Sequence, residues 1–196
     1  MSVQIDGLSK SFGKKAVFTD FNYAFEDTGI YVIRGESGAG KTTLLRIIAG
    51  LDKEYSGSIQ QSVPGVSVCF QEYRLFDNIT ALKNITEVSF KNATEDDEAE
   101  VRALFKRLNF SDDDIALYPH ELSGGMKQRV AFIRAIAKNS SVLILDEPTK
   151  EVDSENAAIM RQIIKEEANK RLVIMVTHKT EDISDLQAQV IEIGAR

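Results

Sequence analysis

Gly35-Glu36-Ser37-Gly38-Ala39-Gly40-Lys41-Thr42-Thr43 is the stretch that decides the fold. It carries the spacing G-x-x-x-x-G-K-T, which a chain of 196 residues matches by chance on the order of one time in a hundred. Its context narrows the reading further. The apolar run Ile30-Tyr31-Val32-Ile33 precedes it as a buried strand, and Leu44-Leu45-Arg46-Ile47-Ile48-Ala49 follows as a helix stopped by Gly50. Strand, glycine loop and helix in that order build a phosphate site. The glycines let successive backbone N–H groups converge, and the new helix aims its positive dipole end at the same point. Lys41 can reach outer phosphates, and the Thr42 hydroxyl can ligate Mg²⁺. The stretch implies binding of a nucleoside triphosphate.

Working outward, alternation over 3–6 and 16–25 predicts two antiparallel strands joined around Gly13-Lys14-Lys15. Phe12 stands at that turn, where an aromatic is most simply a strand-end core residue. Beyond the loop helix, Gly50-Leu51 and Ser56-Gly57-Ser58 read as loops, and 66–70 as a short strand ending at Gln71. Residues 72–140 change character. Thr94 can cap a helix whose first turn, Glu95-Asp96-Asp97-Glu98, is acidic. Val101, Leu104, Phe105 and Leu108 follow at helical spacing. After the polar link Ser111-Asp112-Asp113-Asp114 and Tyr118-Pro119, Leu122-Ser123-Gly124-Gly125 opens a second long helix. From 142 the chain alternates again: a strand over 142–145, a helix over 154–171, a strand over 172–176 and a last strand over 190–193. The expected fold is α/β. A nucleotide-binding core with an N-terminal antiparallel β subdomain spans 1–71 and 141–196, and an inserted helical subdomain spans 72–140.

Composition is that of an ordinary soluble globule and counts against a nucleic-acid binder. Hydrophobic residues make up 43% and charged residues 28%, and the formal charge is −6, so no basic surface is expected and no nucleic-acid partner. The single cysteine, Cys69, lies in an apolar run and reads as a small buried hydrophobe; one cysteine permits no internal disulfide, which fits a reducing compartment. No leader is expected at the start, and the longest apolar runs are strand-sized, too short to span a bilayer. A role at a membrane would therefore need another chain to hold this one there.

Other residues add chemistry to the loop. Asp146 and Glu147 follow the buried run Val142-Leu143-Ile144-Leu145, at the strand end where an open α/β sheet places ligand groups. Asp146 can hold Mg²⁺, and Glu147 can act as general base toward water. His178 ends the strand Leu172-Val173-Ile174-Met175-Val176-Thr177 in the same manner, placed to sense a γ-phosphate or orient water. Gln71, at a third strand end, offers a neutral oxygen to Mg²⁺ or water. Ser123-Gly124-Gly125 is either a second anion site or a plain serine N-cap.

Together these residues resemble the ATP-binding cassette (ABC) family over nearly the whole chain, in the family's order. Residues 35–43 are similar to its Walker A loop and Gln71 to its Q-loop. Leu122-Ser123-Gly124-Gly125-Met126-Lys127-Gln128-Arg129 is similar to its signature, 142–149 to Walker B with catalytic Glu147, and His178 to the switch histidine. The resemblance implies a P-loop NTPase fold, MgATP as ligand, and hydrolysis carried by Lys41, Gln71, Glu147 and His178. It implies that Phe12 stacks on adenine, that residues 35–43 hold the phosphates, and that Thr42, Gln71 and Asp146 surround the metal. It further implies a head-to-tail dimer with a second copy or a homologous subunit, each ATP held between one copy's Walker A and the other's Ser123, Gly124 and Gly125, with Asp153 nearby.

The family usually reads S-A-L-D after D-E-P-T. Here Lys150-Glu151-Val152-Asp153 stands there: Asp153 matches, and two charges replace small residues that usually line the dimer interface. The chain also ends soon after its last strand, so no C-terminal regulatory domain is expected. Glu72-Tyr73-Arg74-Leu75-Phe76-Asp77-Asn78-Ile79-Thr80 is similar to the segment by which free-standing cassettes dock onto membrane subunits. The resemblance thus implies the ATPase subunit of a transporter, cytoplasmic and peripheral on the inner face of the cell membrane. A bacterial importer of small solutes comes first, an exporter of lipids or peptides next, and a soluble ABC ATPase without transport last.

Overall fold

The computed structural model describes residues 3–61 and 65–194. They fall into two compact units. The first gathers the described residues up to Val68, Ser140–Asp146, and those from Lys165 onward; the second comprises Cys69–Asn139 and Glu147–Ile164. Residues 147–164 thus group with the helical stretch, although they follow a core strand in sequence and were expected with 141–196.

The first unit is built on a five-stranded sheet. Its strands are β3 (Gly29–Arg34), β5 (Val66–Cys69), β6 (Val142–Asp146), β7 (Leu172–Val176) and β8 (Gln189–Glu192), in the order β5-β6-β7-β3-β8. The β6, β7, β3 and β8 pairings are parallel. All five residues of both β6 and β7 are buried and, Asp146 apart, apolar, the continuous run expected of strands covered on two faces. Helix α1 (Lys41–Ile48) buries Leu44, Leu45, Ile47 and Ile48 in the same core.

A second sheet in this unit pairs β1 (Val3–Phe12) antiparallel with β2 (Lys15–Phe25) and with β4 (Ser56–Gln61). The turn falls at Gly13-Lys14, as the alternation predicted, but β1 runs well past residue 6. Its apolar positions go Val3, Ile5, then Leu8, a slip of phase that breaks the period-two pattern. The pairing register shifts between Ile5 and Leu8, around Gly7 at φ 63°, and this bulge carries Leu8 back to the core. The second difference is β4, read above as a loop from Ser56-Gly57-Ser58. It is an edge strand with little apolar content, held by its backbone pairing to β1 rather than by any side-chain pattern.

In the second unit, α2 (Lys83–Ser89), α3 (Glu95–Arg107) and α5 (Gly124–Ala137) pack on one another, with Val101, Phe105, Val130 and Ile133 buried. Thr94 caps α3 in a reciprocal capping box with Asp97. The polar link at 111–114 is itself a helix start: Ser111 and Asp114 form the same box at the head of α4 (Asp112–Ala116). Helix α2 had no sequence signal because its buried face includes Asn84 and Thr86. Asn84 is fully buried and satisfied locally, accepting from Phe76 N at 2.7 Å and donating to the Phe76, Ile79 and Thr80 carbonyls at 3.1 Å. Helix α6 (Ser154–Ala168) turns Ala157, Met160 and Ile164 inward and ends a few residues before the expected 171.

A buried charge ties the two sheets' connection in the first unit. Lys10 Nζ donates to Asp52 Oδ1 at 2.8 Å and to the Glu54 carbonyl at 2.6 Å, with its side chain 3% exposed. The hydrogen bond from Lys10 holds the Asp52 carboxyl below its ordinary pKa. Asp52→Ala would leave the ammonium buried against one carbonyl, and we expect a loss of about 2–3 kcal/mol in denaturant unfolding. A depressed carboxyl contributes stability above its unfolded pKa of about 4 and loses it as pH falls through the folded value. The wild type's advantage over Asp52→Ala should accordingly shrink below about pH 4.

Candidate functional site

The loop after β3 is shaped by two glycines. Gly40 sits at φ 98°, and a Cβ there would lie 2.3 Å from Val17 Cγ1 and 3.0 Å from the Phe18 ring. Gly35 faces the Ile193 carbonyl, 2.1 Å from where its Cβ would be. No side chain fits either position, so the backbone itself lines the loop. Gly40 provides no side-chain cap for α1, which leaves the helix's first N–H groups to an external acceptor. Lys41 is buried and donates to the carbonyls of Gly35 at 2.8 Å and Glu36 at 2.9 Å, which holds its ammonium across the loop's mouth. Ala39 packs into the core, whereas Glu36, Ser37 and Gly38 are exposed and Thr43 is half-buried.

Strand register brings the remaining first-unit residues to the same edge. Ile33 pairs with Val176, and Val176 with Asp146, so the three stand in one row across β3, β7 and β6. The residues just past that row are the ones sequence singled out. Thr42 Oγ1 donates to Asp146 Oδ2 at 3.2 Å, which joins two hard oxygen ligands of the kind Mg²⁺ takes. Among the described residues no group of three or more His, Cys, Asp or Glu gathers. That donor set suits an ion completed by phosphate oxygens rather than one caged by protein. His178 is exposed and shares a pocket with Arg34, Gly35, Glu36, Thr177 and Glu192.

Two first-unit residues were missed. Asp182, on α7 (Thr180–Leu186), is fully buried and accepts from Thr177 Oγ1 at 2.7 Å, while Thr177 Oγ1 also accepts from Lys179 N at 3.1 Å. These bonds fix the turn on both sides of His178. The pair is local, five residues apart, but α7 was too short and polar to read from sequence, so its buried carboxylate gave no signal. Lys15 is the other. It pairs with Phe12 across the hairpin, and its ammonium lies 3.9 Å from where a Cβ on Gly38 would stand, a second cation beside the loop. Phe12 is 55% exposed, with Lys10 Nζ 5.0 Å from its ring centre. It is therefore an open aromatic face and not the core residue its strand position suggested.

The second unit holds the other sequence-predicted residues. Gln71 is exposed. Glu147 follows Asp146 directly, in the left-handed region at φ 50°, and Lys150 Nζ stands 3.9 Å from its Oε2. Ser123 caps α5, its Oγ accepting from Met126 N at 3.2 Å, with Gly124 and Gly125 opening the helix. Asp153 caps α6: Oδ1 accepts from Asn156 N and Oδ2 from Asn156 Nδ2, both at 2.9 Å, which holds its carboxyl below the ordinary value.

Residues 18–150 match the ABC transporter family. The chain belongs to that family. It is 34% identical to the aliphatic sulfonates import ATP-binding protein SsuB of Bacillus cereus, over all of this chain and 82% of that protein. It is 33% identical to the ergothioneine transport ATP-binding protein EgtV of Helicobacter pylori, over 98% of this chain and 97% of that one. The fold matches the dimeric post-hydrolysis structure of the ATP-binding cassette MJ0796 bound to ADP and Pi, with a TM-score of 0.83 and 23% identity over 99% of this chain and 96% of that one. The α/β architecture expected from sequence, an antiparallel sheet beside a parallel one with helices, is that of an ABC cassette. No helix among the described residues of this ABC chain is long and apolar enough to cross a membrane.

Two measurements address the loop. Lys41→Ala removes a buried cation from it, and charge-assisted hydrogen bonds of about 1.5–3 kcal/mol make a loss of at least about tenfold in ATP affinity the expected outcome of a nucleotide titration. Phe12→Ala should weaken ATP and GTP by similar factors, about 1–3 kcal/mol on the base-stacking scale, since every purine offers a π-face.

Proposed function

We propose that this ABC chain is the ATP-binding and ATP-hydrolysing subunit of a bacterial importer of small solutes. It works at the cytoplasmic face of the membrane, through separate membrane-embedded subunits, and closes head to tail with a second copy or a homologous subunit. The observation that carries the hydrolytic reading is the Thr42–Asp146 hydrogen bond at the mouth of the glycine loop, one peptide bond before Glu147. The importing role is supported by the relatives, whose names include import and transport of sulfonates and ergothioneine.

In this reading the backbone of residues 35–43 and Lys41 hold the β- and γ-phosphates, while Phe12 stacks on the base. Thr42 and Asp146, with Gln71, would hold Mg²⁺, which supplies charge neutralisation at the phosphates. Glu147 accepts the proton of the attacking water, and His178, steadied by the Thr177–Asp182 bond, meets the γ-phosphate. The start of α5, at Ser123, Gly124 and Gly125, takes the γ-phosphate held by the second copy.

Glu147→Gln keeps the side chain's shape and removes its basicity. Turnover should fall by roughly 100- to 10,000-fold while ATP still binds, and the variant should elute as a dimer with ATP and a monomer without it. Undiminished hydrolysis would refute the base assignment. Lost hydrolysis without a dimer would preserve the base and overturn the two-copy arrangement.

A further inference from the structure

The two charges that depart from the family's pattern, Lys150 and Glu151, find partners inside the second unit. The Tyr73 hydroxyl donates a short hydrogen bond to Glu151 Oε2. The same carboxylate oxygen lies 2.7 Å from where a Cβ on Gly124 would stand, with the Tyr73 hydroxyl 3.3 Å from that point. The Glu151 carbonyl lies 2.8 Å from the corresponding point on Gly125. Glu151 therefore covers the first two residues of α5 from both its side chain and its backbone. A negative charge at a helix start is stabilised by the helix dipole. Tyr73 is secured from a second direction, because Arg134 on α5 donates to the Tyr73 carbonyl at 2.9 Å and to the Arg74 carbonyl at 2.7 Å. The hydrogen bond to Glu151 pushes the Tyr73 hydroxyl up to about 12, so it remains a donor throughout the physiological range.

We propose that Glu151 is a positioning residue that competes with the γ-phosphate for the start of α5, and that Tyr73 holds it there. This rests on the two-copy reading above. Under it, Ser123, Gly124 and Gly125 must receive an anion from the facing copy, yet the chain's own carboxylate already lies against that surface. Closure then requires the carboxylate to swing out, and the Tyr73 bond resists the swing. Tyr73 sits two residues after Gln71, in the segment similar to those that dock onto membrane subunits, so displacing that segment breaks the bond and uncovers α5. The pair makes closure, and hence hydrolysis, depend on the docked partner, which limits ATP consumption by the unattached chain.

Two measurements test this, one on the single chain and one on the pair. Hydrogen–deuterium exchange of the nucleotide-free chain should show faster exchange in Glu151→Gln than in wild type at residues 72–75 and 123–127, with α3 unchanged as the internal control. Unchanged exchange in both segments overturns the contact. ATP-dependent dimerisation is then compared between Glu147→Gln and Glu147→Gln/Glu151→Gln by analytical ultracentrifugation. The double variant should dimerise at least about fivefold more tightly, the Coulomb factor for two like charges about 4 Å apart even in bulk water. Tyr73→Phe in the same background should shift dimerisation in the same direction by less. Equal or weaker dimerisation of the double variant overturns the competition. If neither variant dimerises with ATP while exchange still responds to Glu151→Gln, the two-copy reading fails and the contact between Glu151, Tyr73 and α5 stands.

Discussion

Parallel pairing of β3, β7 and β6 is the constraint on which the first unit depends. It aligns Ile33, Val176 and Asp146 in one row, and because the strands run the same way, each chain leaves the sheet on the same side. Gly35 and His178 are both reached within two residues of that row. Because both faces of β6 and β7 are buried, their apolar runs seat these strands inside the core, and the parallel pairing then decides which residues stand at the sheet's edge. The chemistry is thus placed by hydrophobic burial rather than by attraction among the polar groups themselves.

Upon that edge the glycine loop adds a second constraint, one of space. Gly40 is pressed against Val17 and Phe18 of β2, and Gly35 against the carbonyl that follows β8. The antiparallel sheet and the last strand together mould the loop, which explains why elements with no chemistry of their own lie close around it. The same hairpin carries Phe12 and Lys15, so an aromatic face and a cation arrive on a rigid support. Lys41 donates to two loop carbonyls, which keeps its charge at the mouth of the loop.

In the second unit the recurring theme is a polar side chain at a helix start. Thr94, Ser111, Ser123 and Asp153 each satisfy a backbone N–H of the first turn. For three of them that is the whole role the geometry gives. Ser123 differs because Gly124 and Gly125 follow it and Glu151 lies over them. Replacing small residues by Lys150-Glu151 therefore does more than add charge to a surface: it places a carboxylate against the second-unit helix start that the family's resemblance gives to phosphate.

By itself the sequence determined the strand, loop and helix around Lys41, the strands that end at Asp146 and Val176, and the family. Those features are local: a glycine spacing, runs of buried apolar residues, and a carboxylate or histidine at their ends. It pointed to the family's residues but not to their neighbours. β4 escaped because an edge strand is held by backbone bonds to β1, and α2 and α7 because their buried faces carry Asn84, Thr86 and Asp182 instead of an apolar stripe. Phe12 read as core, and only the tertiary structure left its ring exposed. The Thr42–Asp146 bond joins residues 104 apart in sequence, and the Tyr73–Glu151 bond residues 78 apart. No local pattern encodes such pairs, since they exist only once strands and helices have packed and brought distant side chains within hydrogen-bonding reach.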